Sequence, residues 1–169
     1  MNWLKAKTLA DTHFFHTNII RYCNRPFDSV DTMNVFLIRA WNESIAPDDV
    51  VIFGGDFTFC LKPELIQPIF DQLNGEKIMI KGNHDPRSKM EAMGWTDIRD
   101  SLEIEPGILF THYPVTETGI CEVNIHGHVH GAKVDYPLGV CGIDVGVDSI
   151  GYHAITIEEA IRRAINPNT

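Results

Sequence analysis

Several short apolar runs in this chain stop abruptly at glycine and polar residues, and that punctuation limits the fold more than any other feature. The runs sit in "KTLADTH", "DVVIFGGD", "EKIMIKGNHD", "ILFTHYP" and "CEVNIHGHVHG". β-Branched residues suit strands, and glycine at a strand end lets the backbone turn sharply or approach another group closely. Helical patterns lie between the runs. Over 30–45, Val30, Met33, Leu37, Ala40, Trp41 and Ile45 recur at helical spacing, with Asp28 or Ser29 available as the cap. "KPELIQPIFDQLNG" reads as a helix that begins at Pro63, kinks at Pro68 and closes at Asn74-Gly75. A short helical piece follows near 87–93, and "SLEIEPGILFTHYP" reads as two strands joined around Pro106-Gly107. "VCGIDVGVD" supplies another strand, and "TIEEAIRRAI" opens with Thr156 and Glu159 at capping-box spacing. Strands alternating with helices, plus a hairpin, indicate α/β layers with some antiparallel pairing. With 169 residues, 44% of them hydrophobic, and no repeat or linker, one domain over 1–169 is expected.

Charge narrows the function. Fourteen basic residues against 23 acidic ones give a formal charge of −9. Affinity for duplex nucleic acid comes from clustered Lys and Arg, so stable duplex binding is not expected, although bound metal would raise the local potential. Cys23, Cys60, Cys121 and Cys141 are scattered and read as reduced thiols rather than a disulfide framework. The opening "MNWLKAKTLADTHFF" lacks the pattern of a signal peptide, and no run approaches the ~20 apolar residues of a membrane span. A cytoplasmic protein without a membrane partner is expected.

The polar clusters at the strand ends carry the chemistry. They are Asp11-Thr12-His13, Gly55-Asp56, Gly82-Asn83-His84-Asp85, His112 and Gly127-His128-Val129-His130. Each alone is an ordinary loop or turn. Together they offer carboxylate, imidazole and amide ligands, a mixture suited to borderline divalent ions such as Mn, Fe, Zn or Ni. "NIHGHVHGAK" poses a specific choice, because His126, His128 and His130 alternate and would share one face of a continuous strand. Either all three meet at one ion, or the strand ends at Gly127 and His126 stays behind in it.

In order and spacing these clusters resemble the calcineurin-like metallophosphoesterase superfamily, whose pattern runs Asp-x-His, Gly-Asp, Gly-Asn-His-(Asp/Glu), a His after a strand, then Gly-His-x-His. "DTHFFHTNII" and "NRPF" further resemble a compact branch found in bacteria and phages. The resemblance implies a four-layer α-β-β-α sandwich of two mixed sheets. It also implies two divalent ions, manganese foremost and iron, zinc or nickel as others. Asp11, His13 and His130 would hold one ion, Asn83, His112 and His128 the other, and Asp56 would bridge them. His84 would contact the scissile phosphate as general acid. His128 and His130 would then serve different ions, and His126 would belong to the strand.

The departures matter as much. Protein phosphatases of this superfamily extend Gly-Asp to Asp-Arg-Gly and use paired arginines; "GGDFTFC" has Phe59 where the further Asp would fall. Phosphoprotein hydrolysis is therefore disfavoured, and the group that orients His84 is left open, with Asp85 one candidate. Phe15 stands where the compact branch has Gly; it either narrows the entrance or packs. Arg25 is the favoured phosphate contact among the basic residues, and His16 a second substrate candidate. The expected function is hydrolysis of small nucleotide phosphodiesters, cyclic ones among them, by metal-activated hydroxide with a histidine acid. A metal-dependent nuclease, a phosphomonoesterase and a non-catalytic interaction module of the same fold are the alternatives.

Overall fold

A computed structural model describes residues 2–167. A 3-10 turn at Trp3–Lys5 leads into β1 (Lys7–Leu9), α1 (Thr17–Tyr22), α2 (Val30–Ser44), β2 (Val50–Phe53), α3 (Pro63–Phe70) and β3 (Glu76–Ile80). Then come α4 (Arg87–Met93), β4 (Asp97–Arg99), β5 (Ser101–Glu105), β6 (Ile108–Thr111), β7 (Val123–His126), β8 (Cys141–Asp144), α5 (Val147–Ile150), β9 (Ile155–Thr156) and α6 (Ile157–Ile165). The strands form two mixed sheets, one ordered β4-β3-β2-β1-β9 and the other β5-β6-β7-β8. In the first, β1 to β4 run parallel and β9 is antiparallel to β1. In the second, only the β5–β6 hairpin is antiparallel.

The period of two on β2 shows how one sheet serves two cores. Val51 and Phe53 face a cluster that includes Met33, Leu37 and Trp41 of α2, Ile69 and Phe70 of α3, and Met90 of α4. Val50 and Ile52 face the other way, into a cluster with Phe110 of β6 and Ile125 of β7. Burial on both faces accounts for the unbroken apolar run "VVIF". Helices α1 to α4 cover the outer side of the five-stranded sheet. Helix α6 packs against β7 and β8, its buried Ile157 and Ala160 joining the second cluster. The expected fold class of two mixed sheets with flanking helices is therefore the observed one.

Local signals mostly act as the sequence indicates. Ser29, not Asp28, caps α2, accepting from the Thr32 N–H at 3.2 Å in a reciprocal capping box. Thr156 caps α6 through the Glu159 N–H at 3.1 Å. Helix α3 ends at Phe70 rather than at Asn74-Gly75, because the Gln72 and Leu73 N–H groups bond three residues back, to Ile69 and Phe70, and tighten the last turn. Strand β4 carries no apolar alternation to announce it, as befits an edge strand with Asp97 and Arg99 paired at its surface.

The first core is held by an aromatic group. Phe53 is fully buried, with ring centroids 5.9 Å from Trp41, 5.6 Å from Phe57 and 5.6 Å from Trp95. Truncating such a ring removes its transfer free energy and leaves a cavity, typically costing about 3–5 kcal/mol. Phe53→Ala should lower the urea midpoint by a corresponding amount; a loss under about 1 kcal/mol would mean this core collapses around the gap.

Candidate metal centre

The parallel strands bring their C-terminal ends to one rim, where α/β folds commonly build sites. Asp11 follows β1, Asp56 follows β2, Asn83 and His84 follow β3, His112 follows β6, and His128 and His130 follow β7. The loops are joined to one another before any side chain is considered. Asp11 N–H donates to Gly55 O at 2.9 Å, His13 N–H to Asp56 O at 3.1 Å, and Gly127 N–H to His112 O at 3.1 Å. These bonds hold an unusual backbone. Asp11, His13, Asp56, His128 and His130 have φ of 59°, 50°, 58°, 72° and 50°, a region that side-chain-bearing residues seldom occupy and that costs on the order of 1–3 kcal/mol each.

All the candidate ligands converge. One ligand atom from each of Asp11, His13 and His130 lies within 4.8 Å of the others, and the same holds for Asp56, His112 and His128. Asn83 Oδ1 lies 3.0 Å from His112 Nε2. Asp56 Oδ2 is 3.6 Å from His13 Nε2 and 3.5 Å from His112 Nε2, so one oxygen faces both groups. Two glycines make room for the carboxylates. A Cβ at Gly127 would sit 2.7 Å from Asp11 Oδ2, and one at Gly82 would collide with the Asp56 side chain.

Divalent cations fit what these residues leave unsatisfied. Asp11 Oδ2 accepts the His128 N–H at 2.8 Å, but Oδ1 is buried without a hydrogen bond, as are both ring nitrogens of His13. Gly54 O can only accept, so His112 Nδ1, 2.8 Å away, carries the proton. Its Nε2 then faces Asn83 Oδ1 and Asp56 Oδ2, a gathering of electron-rich atoms that positive charge resolves. Burial and neighbouring charge set the proton affinity of each group. Burial pushes the Asp11 carboxyl up to about 7 and the His13 imidazole down to about 3. Burial also opposes charge on Asp56, yet hydrogen bonding and attraction from His112 hold it down to about 2. On His112 burial works against the proton, but Asp56 wins and raises the pKa.

Asp148 governs His130. Its Oδ2 lies 2.8 Å from His130 Nδ1, which leaves Nε2 as the free ligand atom. Arg25 grips the same carboxylate through Nε and Nη2, both at 2.8 Å, and also donates to the Asp11 and Thr12 carbonyls at 2.8 and 3.0 Å. The expectation that Arg25 contacts phosphate is thus corrected, because it is buried and its fork is spent inside the protein. Neither Asp148 nor Asp144, which accepts the Gly131 and Gly146 N–H groups at 2.7 and 2.8 Å, belongs to a cluster singled out in the sequence. Asp144 closes β8 and Asp148 lies in the short helix α5 just beyond it, so attention to polar residues around the end of the strand in "GIDVGVD" would have found both.

Other assignments separate clearly. His126 is fully buried in β7, with Nδ1 on Gly127 O at 2.8 Å and Nε2 on the Tyr136 hydroxyl at 2.6 Å. It has no nitrogen left for an ion. Asp85 does not orient His84; it accepts the Gly82, Asp56 and Phe57 N–H groups at 2.9, 2.6 and 3.0 Å and ties two ligand loops together. His84 N–H donates to Asp56 Oδ1 at 2.9 Å, while its exposed ring makes no hydrogen bond among the described residues. Phe15 packs against the first core, with its N–H on Asn34 Oδ1 at 3.1 Å. His16 lines a pocket of about 930 Å³ together with His13, Asp56, His84, His128 and His130. Cys23 lies beside His130 and Asp148, but burial and then the Asp148 charge push its thiol up to about 11, so it stays protonated at neutral pH. No helix among the described residues is long and apolar enough to cross a membrane.

The chain is similar to known proteins in sequence and in fold. The sequence profile of the calcineurin-like phosphoesterases matches residues 5–132. The uncharacterised protein MJ1445 of Methanocaldococcus jannaschii is 33% identical over 168 residues, 96% of this chain and 92% of its own length. Among solved structures, AQ665, a protein of unknown function from Aquifex aeolicus, aligns with a TM-score of 0.74 at 25% identity, over 91% of this chain and 96% of its own.

Asp148→Asn should weaken the grip on metal, since groups that orient a ligating histidine typically contribute 10–100-fold in affinity. In thermal unfolding at graded Mn²⁺, the variant should need at least tenfold more metal than the native chain for the same rise in Tm. An unchanged dependence would remove Asp148 from the centre.

Proposed function

The chain belongs to the calcineurin-like phosphoesterase family, and we propose that it is a dinuclear metal-dependent phosphodiesterase acting on small phosphodiesters, nucleotides and their cyclic forms among them. The observation that carries this reading is the pair of ligand groups meeting at Asp56, with buried lone pairs on Asp11 and His13 left unsatisfied beside the His84 ring. Asp11, His13 and His130 would hold one ion and Asn83, His112 and His128 the other, with Asp56 shared. Manganese suits this nitrogen-oxygen donor set, as do iron, zinc and nickel. When bound, such ions supply Lewis acidity toward phosphoryl oxygens and a water that deprotonates near neutral pH.

The chain's own residues do the rest. His112 and His130 are pre-set, each with Nδ1 engaged by an acceptor and Nε2 aimed inward. Asp56 Oδ1 accepts the His84 N–H and so anchors that loop, whose imidazole lines the same pocket without a side-chain hydrogen bond among the described residues. That ring is suited to give its proton to the leaving alkoxide oxygen. The preference for a diester rests on charge. Among the described residues the pocket lining includes no lysine or arginine, and Arg25 is committed to Asp148. A diester carries one negative charge, whereas a monoester dianion or a polynucleotide backbone brings more than the side chains can match. The same balance, with a formal charge of −9, supports a small substrate rather than duplex nucleic acid.

Two outcomes follow. The Mn²⁺-loaded protein should hydrolyse bis-(p-nitrophenyl) phosphate faster than p-nitrophenyl phosphate, lose the activity to a chelator and regain it with Mn²⁺. Rapid turnover of the monoester alone would overturn the diester preference, and degradation of a labelled single strand would point to a nuclease. His84→Ala should retain its metal while losing about 10²–10⁴-fold in rate on diesters with poor leaving groups, less on p-nitrophenyl esters. Native rates on both would take His84 out of the mechanism.

A further inference from the structure

The pocket has a second chemistry at its mouth. His16 and Phe59 lie nearly parallel, with ring centroids 4.1 Å apart and 9° between their planes. Tyr22 stands edge-on to His16 at 6.1 Å, and Phe59 meets the His84 ring at 5.5 Å. All four line the same cavity as the candidate ligands. They do not belong to a core, since Phe59 is 52% exposed and Tyr22 74% exposed. Large rings left in water forgo the burial that draws the other aromatics inward, and a ligand ring laid against them recovers it.

The backbone that carries His16 and Phe59 is tied to the centre. The Phe59 N–H donates to Phe14 O at 2.9 Å, within the short bridge between Phe14 and Thr58 that continues the β1 and β2 loops. The His16 N–H donates to His13 O at 3.0 Å. The backbone pairing that sets Asp11, His13 and Asp56 therefore also sets His16 and Phe59. Ring contacts run without a break from the centre to the mouth, with His13 5.5 Å from His16 and 5.7 Å from His84. A group attached to a phosphoryl at Asp56 and His84 would reach these rings at once.

The chemistry of the walls says what kind of group. Without basic side chains in the lining, nothing there selects further negative charge. The side chains of Asn18 and Asn24 offer amide donors and acceptors, which can read the edge of a planar heterocycle. Aromatic faces and amides together suit a neutral, flat, hydrogen-bonding ring.

We propose that His16, Phe59 and Tyr22 form a shelf on which the nucleobase of a nucleotide stacks while its phosphoester occupies the centre. This rests on the reading of the pocket as a phosphoester site. Base–aromatic stacking of this kind survives in many sequence contexts because every base has a π-face, so the shelf would favour nucleotides over sugar phosphates without selecting strongly among bases.

The test compares adenosine 5′-monophosphate with ribose 5-phosphate, in which an anomeric hydroxyl replaces the base, by calorimetric binding to the Mn²⁺-loaded protein. The native chain should bind the nucleotide at least tenfold more tightly, and Phe59→Leu, which keeps an apolar side chain without a π-face, should shrink the gap below about threefold. Residual binding of ribose 5-phosphate reports that the variant's centre is intact; if that binding is lost, Tyr22→Leu, altered at an exposed ring, is measured instead and should narrow the gap. Equal affinity for the two probes, or a gap that survives these substitutions, overturns the shelf. Hydrolysis of bis-(p-nitrophenyl) phosphate separates the two readings. Activity without a base preference sinks the shelf alone, and a base preference without diesterase activity sinks the diester reading alone.

Discussion

The Asp11 carboxylate is the constraint on which the rest of the site depends. It is completely buried, with Gly127 and Gly146 pressed against Oδ2, yet Oδ1 has no hydrogen-bond partner. A buried charge in that position is costly unless opposite charge neutralises it. The cost shows in a carboxyl pushed up to about 7 by burial. Around it, residues with positive φ turn their imidazoles and carboxylates inward rather than toward water. Such strain persists only where the surroundings over-determine it, and the bonds that join the β1 loop to the β2 loop and the β7 loop to the β6 loop, with the His128 N–H on Asp11 Oδ2, do so. A pair of cations is the simple way to reconcile these costs.

Much of this was legible in the sequence because strand ends announce themselves. Apolar runs that stop at polar clusters locate the strand ends, and the order of those clusters resembles a known family pattern, which implies Asp11, His13, Asp56, Asn83, His112, His128 and His130 as the ligand set. The separation of His126 from its neighbours followed from Gly127 for the same reason. Long-range pairing was not legible. Arg25 looked like a phosphate contact because nothing local reveals that Asp148, far along the chain, takes both arms of its guanidinium. Asp85 was only one candidate to orient His84, because consecutive side chains diverge, and its carboxylate accepts from backbone N–H groups of the neighbouring loop instead. Strand β4 and the short α1 escaped because their polar sequences gain their form from the sheet edge and the loops beside them.

These hidden interactions divide labour between centre and support. Arg25, Asp148 and Asp85 are buried charged groups that never reach the pocket surface; they hold ligand loops and set the free nitrogen of His130. With Arg25, Asp148 and Asp85 absorbed in this way, the pocket lining carries the Asp56 carboxylate, imidazoles, amides and aromatic rings, and no lysine or arginine among the described residues. Charge recognition would then fall to the cations alone, and shape and stacking would decide what is attached to the phosphoryl group. Sequence motifs indicate the first of these properties, whereas the second emerges only from the fold.

The proposed centre would hold two cations joined by Asp56. The most direct measurement counts manganese per chain by elemental analysis after equilibrium dialysis, for the native protein and for Asp56→Ala. The account predicts about two ions for the native chain and a loss of at least one in the variant. Substantially fewer than two in the native chain, or an unchanged count without Asp56, would contradict it.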